Sequence, residues 1–224
     1  MRKANKAVNG PLASFISGQF IKDGSPFIDD DATPRIPGFL KATPKTREDD
    51  HLLSGFVELR SILTGTGNLQ EIDVLTLLQP FLIVIRSSNT SGFITGIVVN
   101  SLTKLIKYGI INTNNKNIHQ GLGQTISALS HCKFEGSDQT QDDILLIKII
   151  QLIELIVLSD LGDLLTDDSM YESVSTCFSL AANTRRRDIL RSTAETTLIN
   201  ITQKMFSKLK DIESTHDDHN VKDA

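Results

Sequence analysis

Apolar and polar positions recur with a helical period over most of this chain, from Asp49 to Lys210. Leu52, Phe56, Leu59 and Leu63 fall at i, i+4, i+7 and i+11 and so share one helix face. Asp49 or Asp50 offers a carboxylate to cap its start, and Gly65 and Gly67 end it. The next run, Asp73 to Arg86, is strongly apolar. Pro80 inside it removes one backbone bond and predicts a bend. Ser87 to Gly92 turn the chain back, and a third helix runs from about Ser91 to Tyr108 with Gly109 as its stop.

Asn112 to Lys116 reads as a polar loop, followed by a helix from about Ile118 to Cys132 that Gly121 and Gly123 weaken. After the turn Gly136-Ser137-Asp138, Thr140 reads as a cap, with Asp142 and Asp143 at the positive end of the helix dipole. The helix Asp142 to Leu158 is apolar nearly all round, which predicts a central, buried position. Asp167 or Asp168 opens another, ending near Asn183. The last runs from about Arg187 to Lys210 with the stripe Leu190, Ala194, Thr197, Leu198, Ile201, Met205 and Leu209.

No strand pattern competes with seven or so helices joined by short connections. Helix pairs recur on a scale of roughly forty residues, as in armadillo or HEAT arrays. The expected fold is therefore all-α, a right-handed helical stack (an α-solenoid), whose long surfaces suit binding better than catalysis. Residues 1–8 read as the end of a helix, truncated if Met1 is an internal methionine. Residues 9–48 hold Pro11, Pro26, Pro34, Pro37, Pro44 and the acidic run Asp29-Asp30-Asp31, and read as an irregular loop. Residues 49–210 form the helical domain, and 211–224 a flexible charged tail.

Composition narrows the function. The chain has 224 residues, 39% of them hydrophobic, with a net charge of −4 and a pI of about 5.7. That balance lacks the basic face of a nucleic-acid protein, and ten Phe, two Tyr and no Trp leave little for base stacking. Two cysteines, Cys132 and Cys177, make no disulfide framework and point to buried thiols in a reducing, cytoplasmic compartment. The longest apolar run, Ile144 to Leu158, is too short to span a bilayer, so membrane contact through it is peripheral.

Candidate chemistry is sparse. Gly121-Leu122-Gly123 is half of a dinucleotide fingerprint without its strand or third glycine, and reads as helix glycines at a close crossing. His131-Cys132 lacks the further ligands a zinc site needs. His216-Asp217-Asp218-His219 lies in the charged tail. Arg185, Arg186 and Arg187 are the sharpest cationic cluster and the candidate contact for an anionic lipid or a partner. The plainer reading has Arg185 and Arg186 closing one helix, with Asp188 balancing them at the next. Catalytic, cofactor and metal assignments are accordingly none.

Four blocks carry a resemblance. They are Leu53–Arg60 (LSGFVELR), Ile72–Ile111 (IDVLTLLQPFLIVIRSSNTSGFITGIVVNSLTKLIKYGII), Ala128–Ile150 with its HCKFEG, and Arg186–Lys210 (RRDILRSTAETTLINITQKMFSKLK). In this order and spacing they resemble the dimerisation and cyclophilin-binding (DCB) domain of large Golgi Arf guanine-nucleotide exchange factors. The class is Gea/GBF/GNOM, and the wording is nearest the budding-yeast Gea type. The resemblance implies a non-catalytic regulatory module, because the exchange-catalysing domain of such proteins is absent from this chain. It implies self-association as a homodimer, contact with the following helical domain, and peripheral recruitment to Golgi membranes, early or cis rather than trans. Rab or Arf family GTPases are further implied partners.

Lys104 and Asp143 match a base and an acid of the family motif and are the interface candidates. An exposed pair within one subunit contributes only about 0–1 kcal/mol. Across a symmetric interface each pair occurs twice and also selects the partner. The rival readings are two ordinary solvated charges, and a generic armadillo-type adaptor that binds a small GTPase or a peptide.

Overall fold

The computed structural model describes residues 47–65, 72–136 and 138–220, with side chains defined from 52 to 210 within these ranges. The expected helix end at 1–8, the loop from 9 to 46 and the stop at Gly67 lie outside the described residues.

Among the described residues seven α-helices follow one another: α1 (Arg47–Gly65), α2 (Val74–Arg86), α3 (Gly92–Lys107), α4 (Ile118–Ser130), α5 (Gln139–Leu158), α6 (Asp167–Ala181) and α7 (Asp188–Asn220). A 3₁₀ turn, Asp160–Leu164, which the periodicity does not foresee, joins α5 to α6. The described residues hold one isolated β-bridge, Ser91 to Glu135, and no named strand. The fold is an all-α helical stack, as expected. Helix α3 packs on α5 and α5 on α7 in one layer, while α2 packs on α4 and α4 on α6 in the other. Helix α1 packs on α2.

Local chemistry sets the boundaries. The Asp73 carboxylate accepts from Leu75 N at 2.9 Å and caps α2. It also accepts from Asn117 Nδ2 at 2.6 Å, so one aspartate fixes the starts of both α2 and α4. Ser91 caps α3 and Thr166 caps α6, each through its side-chain oxygen. Gly109, at φ +70°, turns the chain out of α3 in the left-handed conformation glycine adopts without strain. Between α2 and α3 the buried Thr90 hydroxyl lies 3.2 Å from Val84 O, 3.0 Å from Ser87 O and 3.2 Å from Thr95 Oγ1. Glu135 N donates to Thr90 O at 3.0 Å, pinning this joint to the α4–α5 connection.

The core runs along α5. Leu145, Leu146, Ile149, Ile150, Leu152, Ile153, Ile156 and Val157 are all buried, which follows from apolar residues on every side of that helix. At the α2–α4 crossing Gly121 is required by space: a Cβ there would sit 2.5 Å from Val74 Cγ1. Gly123, its neighbour in the half-fingerprint, meets only Ser169 Oγ at 3.6 Å. Pro80 is buried within α2, where Gly55 of α1 approaches it.

Three boundaries differ from expectation. Helix α1 starts at Arg47, so Asp49 and Asp50 lie inside it instead of capping it. Helix α5 starts at Gln139 rather than Asp142, so Thr140 is inside its first turn instead of capping it. Polar bonds from the α6–α7 turn hold that extra turn in place. Helix α7 continues to Asn220, ten residues beyond the expected end at Lys210.

Candidate interaction surface

The sequence-derived candidates lie in two places. Lys104 stands on the solvent face of α3, in its last turn, where the negative end of the helix dipole favours a cation. Asp143 does not share that face. Its side chain is 3% exposed, and Oδ1 accepts from Arg186 Nη1 at 3.0 Å. The Arg186 side chain is itself 9% exposed. The expected outward-facing acid is therefore corrected to a buried one that is paired within its own chain.

The geometry also separates the two candidates. Gly92 and Gly96 of α3 lie beside Leu145 of α5, and Lys107 shares a groove with Leu158, so the two helices run parallel. Lys104 is twelve residues beyond Gly92, a rise of about 18 Å, whereas Asp143 lies at the start of α5. No ion pair joins them.

The arginine triplet divides by environment. Arg186 is spent on Asp143. Arg187 is half exposed, with Nε 3.9 Å from Asp143 Oδ2 and Nη2 donating to Thr140 Oγ1. Arg185 is exposed, and its carbonyl accepts from Gln139 Nε2 at 3.3 Å. The triplet and the acid thus form one structural cluster that fastens the α6–α7 turn to the first turn of α5. Arg185 and Arg187 keep a solvent-facing side.

A second polar seam joins α5 to α7. Glu154 accepts from Thr197 Oγ1 at 3.1 Å and from Asn200 Nδ2 at 2.6 Å. Beside it lies an open groove of about 610 Å³ between α3 and α5, lined by Asn100, Thr103, Lys107, Lys148, Gln151 and Ser159 among others. Lys208 and Asp163 pair across α7 and the 3₁₀ turn, and this contact holds the Asp163 carboxyl below its usual range.

The remaining chemistry is structural. Cys132 and Cys177 are 1% and 0% exposed, and burial pushes both thiols up to about 12. His131 Nδ1 lies 2.9 Å from Ser127 O at the end of α4. Among the described residues no three His, Cys, Asp or Glu side chains come together as a metal-ligating group. The side chains of His216 and His219 lie outside those described. No described helix is long and apolar enough to cross a membrane.

What the charge pattern did not flag is apolar exposure. Phe93, Ile97 and Tyr108 on α3 are 71%, 51% and 78% exposed, and Ile199, Phe206 and Leu209 form a second open stripe on α7. For all but Leu209, spacing opposite the buried positions was the available signal; Leu209, expected in the packed stripe of α7, is exposed instead. This surface can present apolar and cationic groups to another macromolecule.

Relatives bear on what that macromolecule is. Over 167 residues the chain is 45% identical to ARF guanine-nucleotide exchange factor 2 of Saccharomyces cerevisiae, covering 75% of this chain and 11% of that protein. It is 31% identical over 171 residues to the Golgi-specific brefeldin A-resistance guanine nucleotide exchange factor 1 homolog of Caenorhabditis elegans, covering 76% and 9%. It is 29% identical over 145 residues to ARF guanine-nucleotide exchange factor GNOM of Arabidopsis thaliana, covering 64% and 10%. The chain thus spans about a tenth of the length of these relatives. Its residues 50–212 match the family profile described as Mon2/Sec7/BIG1-like, dimerisation and cyclophilin-binding domain, and the chain belongs to that family.

Proposed function

We propose that this chain is a non-catalytic regulatory and self-association module of a Golgi Arf guanine-nucleotide exchange factor. The observation that carries the reading is the match of residues 50–212 to a dimerisation domain family, on a stack whose α3 face is open to solvent. In this reading the chain forms a homodimer and contacts the helical domain that follows it in the full-length protein. It recruits the protein peripherally to Golgi membranes, early rather than late, in support of vesicle transport. Nucleotide exchange belongs to another part of that protein.

Lys104 is the interface charge in this reading, because it is exposed and pairs with no carboxylate among the described residues. Asp143 acts on the interface at one remove, by holding Arg186 and the turn that carries Arg185 and Arg187. Those two arginines are the candidate contact for anionic lipid headgroups. Mass measurement across a concentration series tests self-association: a shift from one to two chain masses supports it, and a monomer up to high concentration refutes it.

A second reading is favoured by the α3–α5 groove with its two lysines. There the chain is an armadillo-type adaptor for a peptide or a Rab or Arf family GTPase. Pull-downs against GTPases in both nucleotide states separate the two readings, since the first does not require nucleotide-dependent capture.

A further inference from the structure

Two pairs of exposed residues are spaced symmetrically along α3. Phe93 and Tyr108 are equidistant from the midpoint between Asn100 and Ser101, as are Ile97 and Lys104. Phe93, Ile97, Lys104 and Tyr108 lie on the side of α3 away from the buried residues Thr95, Val98, Val99 and Leu102, with Ser101 half-buried beside them and Asn100 at the edge that also lines the α3–α5 groove. The α3 sequence from Gly92 to Tyr108 contains no acid. We propose, resting on the self-association reading, that a second copy of this chain docks on this face. The two α3 helices then run antiparallel about a two-fold axis between Asn100 and Ser101.

A two-fold interface must be self-complementary, with residue i meeting j and j meeting i. The α3 face meets that condition. In the antiparallel register each Phe93 lies against Tyr108 of the second copy, an aromatic pair at both ends of the contact. Each Ile97 lies against the methylene stem of the opposing Lys104, whose ammonium reaches the solvent at the rim. Asn100 and Ser101 occupy the crossing point, where a small side chain lets helix axes approach to about 8–10 Å.

Like charge does not oppose the arrangement. The two Lys104 residues are offset by seven positions, about 10 Å along the axis, a distance comparable to the screening length at physiological salt. Lys107 points toward the α3–α5 groove rather than the contact. The pairing asks nothing of Asp143, consistent with its being occupied inside the subunit.

The test uses the full chain and four variants, with mass measured across a concentration series and helicity checked by circular dichroism. Phe93→Glu is expected to raise the dimer dissociation constant about a hundredfold, because symmetry places the change at both ends of the interface. Tyr108→Lys weakens the dimer alone. Phe93→Glu combined with Tyr108→Lys restores it toward wild type, because each introduced carboxylate then faces an introduced ammonium.

Ser101→Cys is expected to form a chain of twice the mass under mild oxidation. Thr196→Cys, an exposed position on α7, is expected not to. The native thiols are buried and do not interfere. If the wild type stays monomeric throughout, the self-association reading fails and this proposal with it. If the wild type dimerises, but the folded Phe93→Glu chain dimerises equally and Ser101→Cys does not cross-link, the α3 face is refuted and the reading stands. Should Phe93→Glu fail to fold, cross-linking at Ser101 decides.

Discussion

Reversing charge at Asp143 and at Lys104 will have effects of different kinds. At Asp143 the partner is Arg186, whose side chain is 9% exposed against 3% for the aspartate, with 3.0 Å between donor and acceptor. Asp143→Lys leaves a nearly buried guanidinium without its carboxylate and places a second cation beside it. Removing one partner from a buried pair costs about 3–5 kcal/mol. Two further bonds, from Arg187 to Thr140 and from Gln139 to the Arg185 carbonyl, hang on the same turn and are put at risk. In a domain of this size each kcal/mol lowers Tm by about 2–4 °C, so a fall of roughly 10 °C is expected.

Lys104→Glu changes a solvated side chain, and stability should move by no more than about 0.5 kcal/mol. Its effect is confined to association. Urea melts at fixed low protein concentration, paired with mass measurements, separate the two effects. Equal stability of Asp143→Lys and wild type refutes the buried pair. Restoration of both stability and dimer by the double reversal, Asp143→Lys with Lys104→Glu, would instead show that the two charges meet each other and that the intramolecular pair is incidental.

Two other consequences are open to measurement. Gly121→Ala places a Cβ 2.5 Å from Val74 Cγ1 and 3.2 Å from Leu78 Cδ1 and should cost about 1–3 kcal/mol in urea. Gly123→Ala meets only an ordinary contact and should be neutral or stabilising by up to about 1 kcal/mol, so equal destabilisation would refute the crossing geometry. The thiols of Cys132 and Cys177 have folded-state values raised to about 12, from an ordinary 9.0. Their protonated forms favour the folded chain fully below pH 9, and that contribution is lost as pH rises towards 12. Each thiol contributes a slope of up to about 1.4 kcal/mol per pH unit in that window. Urea midpoints should fall above pH 9, and less so in Cys132→Ala; an identical pH dependence in that variant would count against the buried thiol.

The architecture was legible because it rests on local signals. The i, i+4, i+7 spacing of Leu52, Phe56 and Leu59, the helix starts at Asp73 and Ser91 and the Gly109 stop each act within about two helical turns. The failures have the opposite character. Helix α5 starts three residues early because Gln139 and Thr140 are held by Arg185 and Arg187, residues 46 and 47 positions away. The 3₁₀ turn at Asp160–Leu164 rests on a close backbone approach rather than on side-chain spacing: a Cβ added at Gly162 would sit 2.0 Å from the Val157 carbonyl oxygen. No periodicity encodes such a contact.

The candidate surface was misread at Asp143 for a reason the sequence itself contains. A charge at a helix start suggests solvent and a dipole contact. Yet Asp143 stands on the line Leu146, Ile150, Ile153 and Val157, spaced by three or four residues, and every member of that line is buried. A carboxylate in such a position requires a cation within the chain. The Arg185–Arg187 triplet, which the sequence reading balanced only against Asp188, was the source. Taking the two features together, rather than as one interface charge and one lipid patch, would have paired them. The consequence reaches function: with its acid turned inward, the open layer of this stack is apolar and cationic along α3. A partner must then match hydrophobic shape first and charge second, and a second α3 is one such partner.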